Sequence, residues 1–192
     1  MPIPFALLLA LAPVGNLHLL QMAMNPNPTL KSYIATAELV AKTHPLPLSR
    51  TFHGTAYYVV PTQKFVFDNL PEFLSRFKAL TTNAPTWAQA KRDYTISPSR
   101  EDGKTSTFTL VPKTSGGRVT SVVFLVDDAT ALIHRVVYHY NNGSVLSFDE
   151  RYQKVGAFHV PAATDISAHF PGYSVEGKIR FTAYRTNVPV SL

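Results

Sequence analysis

The side chains able to do chemistry are few and widely spread. The seven histidines are His18, His44, His53, His134, His139, His159 and His169, and no group of them has metal-ligand spacing. His134 and His139 are five positions apart, so a regular strand sends them to opposite faces. The chain has no cysteine, which removes thiolate metal sites, disulfides, a cysteine nucleophile and a lipid-modified N-terminal cysteine. The neighbouring acids Asp127 and Asp128, and likewise Asp149 and Glu150, read as turn and strand-end carboxylates, because a calcium loop needs a denser run of oxygen ligands. There is no GxSxG, no P-loop and no GxGxxG, and Gly116 with Gly117 marks a turn. No nucleophile stands in a recognisable setting, so the sequence points away from an enzyme and requires no cofactor and no metal.

Composition narrows the class further. Of 192 residues, 45% are hydrophobic and 16% charged, too apolar a balance for a disordered chain. The formal charge of +6 suggests nucleic acid, but the basic residues stand as singletons or pairs such as Lys91 and Arg92. No basic stripe interleaved with stacking aromatics emerges, which argues against nucleic acid as a partner. A solvated basic surface also favours transient contact with anionic lipid.

No Lys, Arg, Asp or Glu occurs before Lys31. Within that stretch, residues 3–14 (IPFALLLALAPV) have the length and small-residue content of a signal-peptide core. The segment lacks a basic start, and Pro13 follows Ala12 where cleavage would otherwise be natural; a site near Met22, Ala23 and Met24 is the alternative. An uncleaved anchor over residues 3–24 competes with cleavage, against Pro13, Gly15, Asn16, His18 and Gln21. The expected organisation is an N-terminal hydrophobic segment, 1–24, followed by a single domain, 25–192.

Beyond it, Asn25, Pro26, Asn27 and Pro28 form a hinge that stops any preceding helix, and Thr29 is placed to cap the next. In residues 30–43, Ile34, Ala37, Val40 and Ala41 recur at spacings of three and four, which predicts an amphipathic helix ending at His44 and Pro45. Residues 51–60 and 63–68 flank Pro61 and Thr62 as a hairpin. Residues 72–80 place Phe73, Leu74, Phe77 and Leu80 at helical spacing, and a loop containing Pro85 and Trp87 follows. Residues 92–97, 104–111, 119–126, 132–140, 144–152, 164–170 and 174–184 read as strands separated by glycine- and proline-rich punctuation. Asn142 and Gly143 mark a type I′ hairpin. The absence of βαβ alternation disfavours a parallel sheet.

Alternation sorts the faces. Phe108 and Leu110 share one, as do Val122, Phe124 and Val126, then Val136, Tyr138 and Tyr140, then Leu146, Phe148 and Tyr152. The opposite faces carry Thr105, Thr107, Ser121, Arg135 and His139, the pattern of a sheet wet on one side. The apolar set is either an ordinary core under two helices or the wall of a cavity that two short helices leave partly open.

The order of features resembles the periplasmic lipoprotein-carrier superfamily, the LolA-like outer-membrane lipoprotein-sorting proteins. The resemblance rests on the export segment, the amphipathic segment 30–43, the FxGxxYYxxP run at 52–61 (FHGTAYYVVP), the strand around Phe65 and Phe67, the FTLVPK run at 108–113, VVFLVD at 122–127 and the continuation over 133–148. It covers most of the chain beyond residue 28. It implies a mainly β fold with α, an incomplete antiparallel β-barrel or half-barrel covered by short helices, which holds acyl chains in an apolar cavity. The expected cavity wall is Phe65, Phe67, Phe108, Leu110, Val122, Phe124, Val136, Tyr138, Tyr140, Leu146 and Phe148, with Ile34, Val40, Phe73 and Phe77 expected on a lid. The function implied is a non-enzymatic, monomeric carrier of lipoprotein acyl chains or other lipids in the periplasm, served by envelope transport proteins. The alternatives are a membrane-anchored chain and an envelope interaction module that pairs through an exposed edge strand.

Overall fold

Eleven strands and two short helices account for the regular structure of the computed structural model, which describes residues 17–45, 48–60, 62–68, 79–83, 85–100 and 103–191. Helix α1 (Leu17–Ala23) precedes the strands β1 (Ser32–His44), β2 (Leu48–Val59), β3 (Thr62–Phe67) and β4 (Ala79–Asn83). Helix α2 (Trp87–Asp93) leads into β5 (Tyr94–Arg100), β6 (Thr105–Pro112), β7 (Val119–Asp127), β8 (Ile133–Tyr140), β9 (Val145–Val155), β10 (Phe158–Phe170) and β11 (Tyr173–Thr186). All strands join one sheet in the order β4-β3-β2-β1-β11-β10-β9-β8-β7-β6-β5, and the pairings are antiparallel.

That order forces curvature. Strands β4 and β5 are consecutive along the chain yet occupy opposite edges. Laid flat, eleven strands would separate those edges by about 48 Å. The link from Asn83 through α2 to Tyr94 reaches about 28 Å, since its helical part advances only ~1.5 Å per residue. The sheet therefore curls toward a barrel, but β4 and β5 do not pair, and α2 spans the gap. The result is an open half-barrel, as the resemblance predicts.

Several local expectations are corrected. Residues 30–43 do not form a helix: Ser32–His44 is the strand β1, paired along its length with β2 and with β11. A period of two is also present there, because Tyr33, Ala35 and Ala37 are buried while their neighbours are less so. Pairing on both sides satisfies every backbone group that a helix would, and overrides helix propensity. Ile34 and Val40 consequently lie on β1, on the face turned away from the helices. The covering helices are α1, inside the segment read as leader, and α2, in the stretch read as a loop around Trp87. The expected lid residues Phe73 and Phe77, and the signal core 3–14, lie outside the described residues, while Ala79 and Leu80 belong to β4 rather than to a helix. The break expected at Gly156 is there, a turn at Gly156 and Ala157, but the flanking strands are longer than expected, taking in residues 153–155 and 158–163. In β10 a bulge between Pro161 and Ala163 accommodates the proline. Asn142 and Gly143 do mark a hairpin, but only Gly143 has a positive φ, +80°, and Tyr140 N donates to Ser144 O. This is a three-residue loop with glycine in the left-handed position, not a type I′ turn.

The two faces differ as the alternation predicts. The outer face carries cross-strand ion pairs: Arg135 with Asp149, and Arg151 and Lys178 with Asp165 at 2.8 and 3.6 Å. The inner face carries two apolar clusters. One packs Tyr33, Ala37, Phe52, Phe65, Phe67, Ile179 and Phe181. The other packs Phe108, Leu110, Val122, Phe124 and Val126 against Leu19, Leu20 and Ala23 of α1 and Ala90 of α2.

Gly54 sets how closely β3 closes on β2. A Cβ there would lie 2.2 Å from Val66 O and 2.8 Å from Phe67 Cα, both backbone atoms, whereas at Gly177 a Cβ would meet nothing nearer than 3.5 Å. Gly54→Ala is therefore expected to cost about 1–3 kcal/mol in urea unfolding, and Gly177→Ala under about 1 kcal/mol. Equal costs would remove the close approach as the reason for glycine at 54.

Candidate ligand cleft

Helix α1 has seven residues, too few to persist alone, and is held by what it buries. Leu19, Leu20 and Ala23 face Phe108, Phe124 and Val126, while Leu17 and Met22 remain 38% and 41% exposed. The hinge after it ends the helix as expected and also fastens it. Asn27 Nδ2 donates to His159 O at 2.6 Å, and His159 N donates back to Asn27 Oδ1 at 2.9 Å. This two-way clamp ties the linker to the start of β10.

Helix α2 starts with a capping box. Gln89 N donates to Thr86 Oγ1, and Thr86 N donates to Gln89 Oε1 at 2.8 Å. Ala90 is fully buried beneath it, and the Lys91 ammonium lies 5.4 Å from the centre of the Trp87 ring, within cation–π range.

Between these helices and the end of β2 opens a cleft of about 540 Å³. Its described lining is Met22, Met24, Tyr58, Val60, Pro85, Trp87 and Ala88, with His18, Gln21, Asn25 and Thr86 supplying polar groups. That volume falls in the roughly 300–1,000 Å³ range of small-molecule sites. Val60 is 51% exposed, so two large apolar side chains, Met22 and Val60, stand open to water at the same cleft. A second concavity of about 450 Å³ lies on the outer face, where Val40 sits among Glu38, Lys42, Asp165, Glu176, Lys178 and Arg180. Its charges suit an acyl chain poorly.

The expected wall residues fall into three settings. Phe108, Leu110, Val122 and Phe124 are buried under the helices, with Phe108 at 0% exposure, and Val136 and Tyr138 pack at the margin of that cluster. Phe65 and Phe67 lie in the other cluster, their rings stacked at 6.2 Å. Leu146, Phe148 and Tyr140 are half-buried. Register places Phe108, Phe124, Val136, Phe148, Ile166, Gly177 and Ala41 in one row across the inner face. Small residues therefore follow the aromatics where the row passes from one cluster to the other.

Sequence reading missed the cleft residues because α1 and α2 were not recognised; the TxxQ spacing of Thr86 and Gln89 was the available signal. It also placed Glu150 at a strand end. Glu150 lies mid-strand in β9, on the inner face, two residues from Phe148. An acid at an apolar position of an alternating run was visible in the sequence. Its Oε2 accepts from Thr164 Oγ1 at 2.8 Å, and burial, with Asp149 adding to it, pushes its pKa up to about 7. Burial likewise raises the pKa of Tyr33, Tyr152 and Tyr184 around it. Asp127, by contrast, is the turn acid the sequence suggests: Thr130 Oγ1 and the Thr130 and Ala129 amides donate to its Oδ1 and hold its pKa down. Among the described residues no group of three or more His, Asp or Glu side chains is placed to hold a metal ion.

Glu150 makes stability depend on pH. The unfolded chain releases this proton near pH 4.5 and the folded chain near 7, so stability falls as pH rises between those values and the loss is complete above them. Glu150→Gln is expected to raise stability at pH 8 by about 1–3 kcal/mol and to change it little at pH 4. Urea midpoints at the two pH values check this; a shift of the same size at both would rule out the charge as the cause.

No protein-family model matches the sequence, and no curated protein does. Solved structures do match in fold. A domain named for outer-membrane lipoprotein sorting from Vibrio parahaemolyticus superposes with a TM-score of 0.63 at 13% identity, covering 92% of this chain and 94% of that one. A LolA superfamily protein from Nitrosomonas europaea gives 0.63 at 8% identity over 92% and 96% of the two chains. A DUF1329 family protein from Desulfovibrio piger gives 0.56 at 13% over 90% and 92%. With its open half-barrel of eleven described strands and the two helices packed on its inner face, this chain has the LolA-like fold.

Proposed function

We propose that the protein is a non-enzymatic carrier or binding protein for amphiphiles with an acyl chain, such as lipids or the acyl chains of lipoproteins, taken up in the cleft between α1, α2 and β2. The observation that carries this reading is the exposure of Met22 and Val60 beside Trp87 at one apolar cleft, an arrangement costly in water unless something covers it. Methionine and tryptophan suit a chain of variable length, because the thioether is flexible and the indole flat. Burial contributes about 0.8 kcal/mol per CH₂ before the cost of ordering the chain. The LolA-like fold of the structural neighbours supports the same reading.

Export to the periplasm remains part of the proposal, with a revised boundary. Leu19, Leu20 and Ala23 fill the core beneath α1, so the exported form is proposed to retain residues 17–23 and to lose at most the segment before them. Among the described residues no helix is long and apolar enough to cross a membrane. Mass spectrometry of the exported protein's N-terminus is expected to find it before Leu17; a start after Met24 would overturn this boundary.

Trp87 is the single tryptophan, so its fluorescence reports directly on the cleft. A medium-chain amphiphile is expected to shift Trp87 emission saturably, and Met22→Glu and Val60→Glu, each placing a charge against the chain, to weaken binding by about tenfold or more. Lipid should also co-purify from the native envelope. A protein that is empty and takes up neither a fluorescent fatty acid nor a neutral fluorescent lipid would eliminate the carrier reading.

A further inference from the structure

A line of packed rings runs inward from the cleft toward one acid. Tyr58 lines the cleft and stacks on Tyr33 at 5.0 Å. Tyr33 meets Tyr184 edge-on at 5.2 Å, and Tyr33, Tyr152 and Tyr184 all feel the charge of Glu150. These tyrosines do little to neutralise that charge. The Tyr152 hydroxyl donates to Ile133 O at 2.8 Å and the Tyr184 hydroxyl to Pro161 O at 2.6 Å, while the Tyr33 hydroxyl accepts from Gln63 Nε2 at 2.7 Å.

Register fixes which way the carboxyl faces. Glu150, Thr164, Ile179, Leu39 and Phe52 form one row across β9, β10, β11, β1 and β2, and Ile179 and Phe52 belong to the inner apolar cluster. Neighbouring acids take the other face: Asp149 pairs with Arg135, and Asp165 with Arg151 and Lys178. Among the described residues Glu150 is the one acid on the inner face, and no described Lys or Arg forms an ion pair with it. The other titratable ring nearby, His134, stands edge-on to Tyr152 at 6.2 Å. Among the described residues only the Thr164 hydroxyl serves the carboxylate, which leaves most of its acceptor capacity unused, and Glu150 keeps part of its surface open.

We infer that Glu150 selects the head group of the bound amphiphile, favouring a cationic amine over an anionic carboxylate. The inference rests on the carrier reading and deepens it. A poorly solvated carboxylate without a cation is stabilised by an ammonium that brings charge and donors, and repels a second carboxylate. Its raised pKa agrees with this shortage of partners. The protein's net charge of +6 favours the opposite preference, so a bias toward amines cannot arise from the general surface field.

The test titrates the full chain with dodecylamine, dodecanol and dodecanoate at pH 8, below micelle formation, following Trp87 fluorescence. The amine is expected to bind at least about tenfold more tightly than the carboxylate, with the alcohol between them. In Glu150→Gln, with folding checked by circular dichroism, the ratio is expected to fall to about twofold while the alcohol's affinity stays within about twofold. Thr164→Val, which removes the donor and keeps the acid, is expected to retain a preference for the amine. Equal binding of all three, or a preference unchanged in Glu150→Gln, would overturn the head-group inference and leave the carrier reading standing. Binding of none of the three would overturn both.

Discussion

The pairing of β1 with β11 is the interaction on which the rest of the molecule depends. It joins residues 130 to 153 positions apart, Tyr33 to Thr186 at one end and His44 to Ser174 at the other, so it must overcome a long loop closure before it gains anything. Once formed, it sets both halves of the chain running outward as meanders, β2 to β4 on one side and β10 to β5 on the other. Their far edges then have to meet within the reach of α2. Curvature, the gap and the position of the helices all follow. A bulge between Ile34 and Thr36, with Ala183 at φ +52° opposite, turns Tyr184 inward onto Tyr33, so the same pairing also builds the aromatic cluster beside Glu150.

The inner face is filled unevenly, and the unevenness has a physical origin. Two seven-residue helices cover the β6–β7 side, where large side chains meet them. The middle of the face is lined by Ala41, Ala168 and Gly177 together with half-buried Leu146, Phe148 and Ile166. Small residues there leave room that large ones would close. Glu150 lies next to this stretch. A polar group in such a place is a cost to folding at neutral pH, and such costs concentrate where function uses them.

Much of the architecture was legible in the residues. Alternation over 105–126 and 133–152 located the strands and their apolar face, because a period of two has a single structural meaning when the opposite positions are Ser, Thr and Arg. Residues 32–44 were ambiguous for the same kind of reason. Ala, Glu, Leu and Lys favour a helix, and the run satisfies both a period of two and spacings of three and four; pairing with two neighbours decided between them. Trp87–Asp93 is too short to show a helical period, so only its cap could announce it. Leu17–Ala23 was hidden in an uncharged segment whose composition suits a leader and a buried helix equally well.

By itself the sequence determined a β-rich, one-sided antiparallel sheet, the absence of cysteine and with it of thiolate chemistry, and most hairpin positions, since these depend on local composition and on residues a few places apart. Tertiary structure alone decided that β1 is a strand, that β4 and β5 fail to pair, that Phe108 and Phe124 lie beneath α1, and that Met22, Val60 and Trp87 converge on one cleft while Glu150 looks inward. Those outcomes depend on strands meeting across more than a hundred residues, and no local pattern encodes which distant edge a strand will find.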